Sequence, residues 1–138
     1  RNEDFCGVVT PEGAELENKG LVAALGDGLG GHKGGREASE YTVRGLLCDY
    51  YATPDTWGVH RAIDKVVTAL NRWILAQSAR DPELAGMATT LSAVVLRGRR
   101  WYSAHIGDSR IYLLRDGELR RLTSDHLWEH PELKNVLS

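Results

Sequence analysis

Apolar residues recur along this chain at two spacings. Across residues 59–77, Val59, Ile63, Val66, Val67, Leu70 and Ile74 repeat at three and four, which predicts an amphipathic helix. Residues 36–51 carry Ala38, Val43, Leu46, Leu47 and Tyr50 in the same manner and predict a second helix, broken by Thr53-Pro54-Asp55. Asp81-Pro82 ends the longer one. Shorter apolar runs between turn residues predict strands at 5–10, 21–25, 89–96, 101–106 and 111–114. Residues 11–20 read as a polar turn joining the first two strands into a hairpin, residues 97–100 as another turn, and Asp116-Gly117 as a tight hairpin turn leading into 118–122. Trp73 and Trp101 are expected in the core. Strands, then two helices, then strands, with no internal repeat or linker, give an α+β fold in one domain over 1–138.

The hairpin has a chemical consequence. If its loop is symmetric, Thr10 faces Leu21 and Asp4 falls opposite Asp27. Directly opposed strand residues have Cβ atoms about 4.5–5.5 Å apart, where like charges are destabilising. A divalent cation removes that penalty. Asp27 also sits in the run Gly26-Asp27-Gly28-Leu29-Gly30-Gly31-His32 without a Lys or Arg in the turn itself, which suits a metal better than a phosphate. Hard cations such as Mg²⁺ and Mn²⁺ take oxygen ligands, and Gly28 could offer its carbonyl beside the Asp27 carboxylate. A slip of register would bring Glu3 forward in place of Asp4. The alternative is a solvated acidic turn.

Composition narrows the partners. The chain has 138 residues, 42% hydrophobic and 26% charged, with net charge −2, so neither broad nucleic-acid nor membrane attraction is implied. Cys6 and Cys48 are the two cysteines and lack a C-x-x-C spacing, which points to a reduced, cytoplasmic protein. No apolar run approaches the roughly 20 residues of a membrane span, and no signal-peptide pattern opens the chain. The acidic residues come so soon after Arg1 that sequence upstream is expected.

Two other motifs fail on context. Gly26, Gly28 and Gly31 satisfy G-x-G-x-x-G, with Asp49 at the distance of a ribose acid, yet two helices follow in succession and Asp27 would repel a pyrophosphate. His105, Asp108 and Ser109 hold the letters of a hydrolytic triad but lie too close in sequence to converge as base, orienter and nucleophile. Gly107-Asp108-Ser109-Arg110-Ile111 also lacks the second glycine of a nucleophile elbow.

Four motifs then occur in a telling order: Asn2-Glu3-Asp4; Asp27-Gly28-Leu29-Gly30-Gly31-His32; Gly86-Met87-Ala88-Thr89-Thr90-Leu91; and His105-Ile106-Gly107-Asp108-Ser109-Arg110-Ile111-Tyr112, followed by Asp116-Gly117 and Leu122-Thr123-Ser124-Asp125-His126. Together they resemble the N-terminal part of the catalytic domain of bacterial-style metal-dependent protein phosphatases of type 2C. The resemblance implies a β-sandwich flanked by helices, a four-layer αββα arrangement that is incomplete here. It further implies two Mn²⁺ or Mg²⁺ ions and hydrolysis of phosphoserine or phosphothreonine in a phosphorylated protein substrate. Asp27 then corresponds to the carboxylate bridging two metals, Gly28 to the carbonyl ligand, and Glu3 and Asp4 to the acidic pair at the rim. Asp108 corresponds to the acid of a third, weaker metal, although a Gly-Asp-Ser turn also uses an aspartate for local hydrogen bonding.

Departures from the family pattern set further expectations. Leu29 occupies the position where some members carry a proposed general-acid histidine, and His32 reads as a capping or solvated residue. The family's phosphate-binding arginine falls upstream of Arg1, and Lys33 and Arg36 read as ordinary exposed bases. Residues 130–138 resemble the segment beyond the family's flap, so the flap looks shortened. The Ser-Asp-Gly and Arg-Asp-Asn motifs that supply two more metal-ligating aspartates are absent. The expectation is a weak enzyme or, alternatively, a catalytically degenerate fold that binds a phosphoprotein or regulates. Open sheet edges would favour self-association.

Overall fold

The computed structural model describes residues 2–30, 33–126, 128–130 and 133–136. In chain order the elements are β1 (Asp4–Val9), α1 (Gly13–Lys19), β2 (Leu21–Leu29), α2 (Gly34–Ala52), α3 (Val59–Arg80), a 3₁₀ turn (Pro82–Leu84), β3 (Ala88–Thr89), β4 (Leu91–Arg97), β5 (Arg100–Ile106), β6 (Tyr112–Arg115), β7 (Glu118–Arg121), β8 (Trp128–His130) and β9 (Leu133–Val136). An antiparallel sheet runs β1-β2-β4-β5, with β3 paired to β2; β6-β7 and β8-β9 form separate two-stranded ribbons. The fold is α+β.

Strand alternation decides what the sheet does on each side. Val22, Ala24, Leu91, Ala93 and Val95 point to one face and are buried beneath α2 and α3. The helices meet them with Val43, Leu46 and Tyr50 from α2 and Val59, Ile63, Val66 and Leu70 from α3, the stripes that the three-and-four spacing picks out. The other face carries Asp4, Cys6 and Val8 of β1, Leu25 and Asp27 of β2, and Leu96 and Trp101 of β4 and β5. No described helix covers it, and Val8 stays 62% exposed.

Several expectations need correction. Residues 11–20 are not merely a turn, because 13–19 form α1, where Ala14, Glu15, Leu16 and Glu17 are strong helix formers. The buried ammonium of Lys19 fixes this helix, donating to the Thr53 carbonyl and hydroxyl, each at 2.7 Å, and to the Pro54 carbonyl at 3.2 Å. Tyr50 donates back to the Lys19 carbonyl at 2.7 Å. The strand expected at 89–96 is interrupted at Thr90, which is occupied with Asp27. Neither tryptophan is core: Trp73 is 37% exposed on the outer side of α3, stacked on Tyr41 of α2, and Trp101 is 42% exposed on the open sheet face. Asp116 and Gly117 both adopt positive φ, 52° and 77°, as a type I′ hairpin turn requires.

Candidate metal centre

Asp27 lies near the end of β2 with Asp4 as its direct partner on β1, the register expected from the sequence. Both side chains project from the face that the helices leave open. Partial burial pushes the Asp27 carboxyl above the usual carboxylate range. A hydrogen bond with Asp4 and the negative charges of Asp4, Asp108 and Glu3 push it the same way. Four acids from three separate stretches therefore repel charge at one point, and a proton or a cation relieves that repulsion.

The Asp27 backbone is held on both sides. Its N–H donates to the Thr90 hydroxyl at 3.0 Å, while its carbonyl accepts from the Thr90 N–H at 2.9 Å and the Thr89 hydroxyl at 3.2 Å. Thr90 in turn shares a 2.8 Å hydroxyl contact with Ser109. The motif at 86–91 thus positions the acid and ties the Gly107-Asp108-Ser109 turn to it. Gly28 gives its N–H to the Glu3 carbonyl at 3.3 Å, and a Cβ on Gly28 would overlap the backbone of Gly35 in the first turn of α2. Close backbone packing, more than ligand approach, is what excludes a side chain there. The Ser39 hydroxyl also donates to the Glu3 carbonyl.

Each expected site residue has a place. Asp4 and Asp27 are brought together directly. Glu3 contributes its backbone, and its carboxylate lies against Gly35, so the register favours Asp4 as the nearer acid. Asp108 makes no side-chain hydrogen bond among the described residues and acts on Asp27 through its charge, which is not the local turn role. The turn is closed instead by His126, whose N–H donates to the Gly107 carbonyl at 2.9 Å and whose Nδ1 accepts from the Gly107 N–H at 3.3 Å. His105 approaches Ser92 and His126 rather than Ser109, so no triad forms. Arg1 and His32 lie outside the described residues, as do Pro131, Glu132, Leu137 and Ser138 of the 130–138 segment.

Beyond the centre, Arg110 grips Asp125 through two nitrogens at 3.1 and 2.8 Å, and Arg121 joins at 2.6 Å. Arg110 beside it holds the Asp125 carboxyl below the usual range. Among the described residues no group of three or more His, Cys, Asp or Glu side chains is drawn together tightly enough to hold a metal outright. The acids form a close pair with two more at a distance. Ser39 and Thr90 were not assigned roles from sequence: Ser39 carries no motif, and Thr90 has no visible link to Asp27, 63 residues away.

Residues 1–133 match the family model described as protein phosphatase 2C. The serine/threonine protein phosphatase PstP of Mycobacterium tuberculosis is 44% identical over 106 residues, covering 75% of this chain and 20% of that protein. The serine/threonine phosphatase stp of Listeria innocua is 34% identical over 142 residues, covering 96% of this chain and 52% of its own length. A crystal structure of the PstP catalytic domain with two manganese ions superposes with a TM-score of 0.74 at 39% identity, covering 93% of this chain and 50% of that one.

Proposed function

This chain belongs to the protein phosphatase 2C family, and on that premise we propose that it carries the metal-binding part of a site hydrolysing phosphoserine or phosphothreonine in proteins with Mn²⁺ or Mg²⁺. The observation that supports this reading most is the opposed Asp4–Asp27 pair, where partial burial first and then the neighbouring Asp4 hold the Asp27 carboxyl above its usual range. A hard, all-oxygen donor set fits such ions. Asp27, Asp4 and the Gly28 carbonyl would hold these ions, with Glu3 beside Asp4, and Asp108 would serve a third, weaker one, as the family resemblance implies. When bound, a pair of such ions supplies Lewis acidity and lowers the pKa of water toward neutrality.

The chain's own residues do the positioning. Thr89 and Thr90 fix the Asp27 backbone, so its carboxylate turns about few torsions. Ser39 and Gly28 anchor the Glu3 end of β1, holding Asp4 in register. Asp27 is exposed among the described residues, so water reaches it and no protein nucleophile is required. Unneutralised, the same acids repel a phosphate dianion, which makes the activity dependent on the cation.

The chain spans 20% and 52% of the length of the two relatives above. The described residues bring few acids to the site, which favours weak turnover by these 138 residues alone. A second reading, a degenerate module that binds a phosphoprotein without hydrolysing it, is favoured by the absence of a tight three-donor cluster among the described residues. Phosphate release from a phosphothreonine peptide in Mn²⁺ separates them. Release that stops with chelator and falls at least about a hundredfold in Asp27→Asn supports the enzyme; chelator-resistant release contradicts the metal mechanism. Saturable peptide binding without release supports the module.

The remaining assignments rest on exposure. Val8, Leu96 and Trp101 on the open face, flanked by edge strands β1 and β5, favour self-association of this chain. No described helix is long and apolar enough to cross a membrane. Cys6 and Cys48 are free and exposed, in keeping with a reducing cytoplasmic setting.

A further inference from the structure

Strands β4 and β5 are joined by Arg97-Gly98-Arg99-Arg100, three arginines in four residues of a chain whose net charge is −2. Gly98 leads the two-residue turn at φ 57°, as a type II′ hairpin turn requires, so the backbone that carries the arginines is fixed. The register sets Arg97 directly opposite Arg100. Their Cβ atoms are therefore about 4.5–5.5 Å apart, where like charges are destabilising. None of the three forms an ion pair among the described residues, whereas Lys19, Lys33, Arg44, Arg110 and Arg121 all have carboxylate partners. We propose that this hairpin binds a phosphate-type dianion, free or carried as the phosphoryl group of a peptide, between Arg97 and Arg100, with Arg99 at the turn adding a third charge.

The surroundings favour an anion there. Arg97 follows buried Val95 by two, so it and Arg100 stand on the helix side of the sheet, at its end. Burial raises the Tyr50 phenol above its ordinary value and the charge of Arg97 draws it back, which keeps that guanidinium toward α2. The Arg97 stem rests against Gly20, where an added Cβ would come within 2.9 Å of it. Tyr102, the next residue of β5 on the same face as Arg100, packs on the Val22 and Tyr50 cluster and meets His60 of α3 edge-on. Arg99 and Arg100 are exposed, so their donors are open to a ligand arriving from solvent. Guanidinium forks match phosphate oxygens through paired, charge-assisted bonds, and a dianion answers two opposed cations as a monovalent ion does not. Asp27 lies six residues along β2 from Leu21, the partner of Leu96, so at roughly 3.3 Å per residue the acidic centre is about 20 Å away, on the other face. The two sites share no residue, and anion binding at the hairpin needs no metal.

The test is a titration of the full 138-residue chain, stripped of metal and desalted, with inorganic phosphate and separately with a phosphothreonine peptide, followed by amide shifts. Chloride at matched low ionic strength is the reference. Without metal the acidic centre repels anions and the peptide stays intact. Saturable binding of inorganic phosphate is expected with a Kd on the order of 10⁻³ M. The amides of residues 97–102 should move most. Arg97→Gln and Arg100→Gln should each weaken binding about tenfold, the worth of one charge-assisted hydrogen bond. Arg72→Gln, at an exposed arginine on α3, should leave it unchanged. A phosphopeptide that binds tighter than inorganic phosphate, and whose unphosphorylated form does not bind, identifies the carried phosphoryl group as the ligand; a phosphopeptide no tighter than inorganic phosphate identifies the free anion. No saturation by either probe up to about 10⁻² M, shifts centred on Arg115 and Arg120 of the other hairpin, or equal losses in Arg72→Gln and Arg100→Gln would each overturn the proposal.

Discussion

The two faces of one sheet have opposite fates in this molecule. Under the helices, Val95, Val43 and Leu46 are wholly buried, whereas on the other face Leu96, one residue from Val95, is 48% exposed and shares its side with Asp4 and Asp27. Parity along the strand therefore separates what holds the fold from the acids proposed to bind a metal. Acids could not sit on the covered face, because an unpaired buried carboxylate is too costly there. On the open face they meet water, and their mutual repulsion is left for a cation to relieve.

The sharpest break in that comparison is a pair of substitutions. Leu46→Ala, on the covered side, should cost about 2–5 kcal/mol in a denaturant melt through lost contacts and a cavity. Leu96→Ser, on the open side, should change the melt by less than about 0.5 kcal/mol and lower light scattering if that face mediates self-association. Equal losses would erase the distinction between the faces. Next in size, Lys19→Met should cost about 1–3 kcal/mol, because the Thr53 and Pro54 acceptors at the end of α2 lose their buried donor. That loss tests whether α1 is bound by its ammonium rather than by its length.

The smallest effect on stability has an informative sign. A carboxyl whose folded pKa is raised binds protons more tightly folded than unfolded, so without metal the fold loses stability as pH rises from the unfolded to the folded pKa of Asp27. Above that window the penalty is constant. Asp27→Asn should remove this slope and leave the metal-free chain slightly more stable at neutral pH. Parallel pH–stability curves for the two proteins would show that Asp27 is not strained by its neighbours.

Much of this was legible in the sequence because the signals were periodic or local. The stripe from Val59 to Ile74 is buried as spaced, and the Asp116-Gly117 turn has the dihedrals its residues demand. The Asp4–Asp27 pairing followed from register even though the connection holds a helix, since the register counts from the strand ends whatever lies between. Trp73 and Trp101 were misjudged because size argues for burial, while exposure depends on which face a helix or strand turns to the core. The supports of the centre were hidden for another reason. Thr90 and Ser39 act across 63 and 36 residues, and no local pattern marks such contacts.

The central claim is that the open-face pair is a cation site. Calorimetric titration with Mn²⁺ near neutral pH tests it directly, comparing the native chain with Asp27→Asn and with Asp49→Asn, a change on the outer side of α2. With so few acids at the centre, saturable binding should fall near 10⁻⁴–10⁻³ M, roughly the range of weak, loosely held sites. It should vanish in Asp27→Asn and persist in Asp49→Asn. Mn²⁺ binding of the same strength in Asp27→Asn as in the native chain would contradict the account.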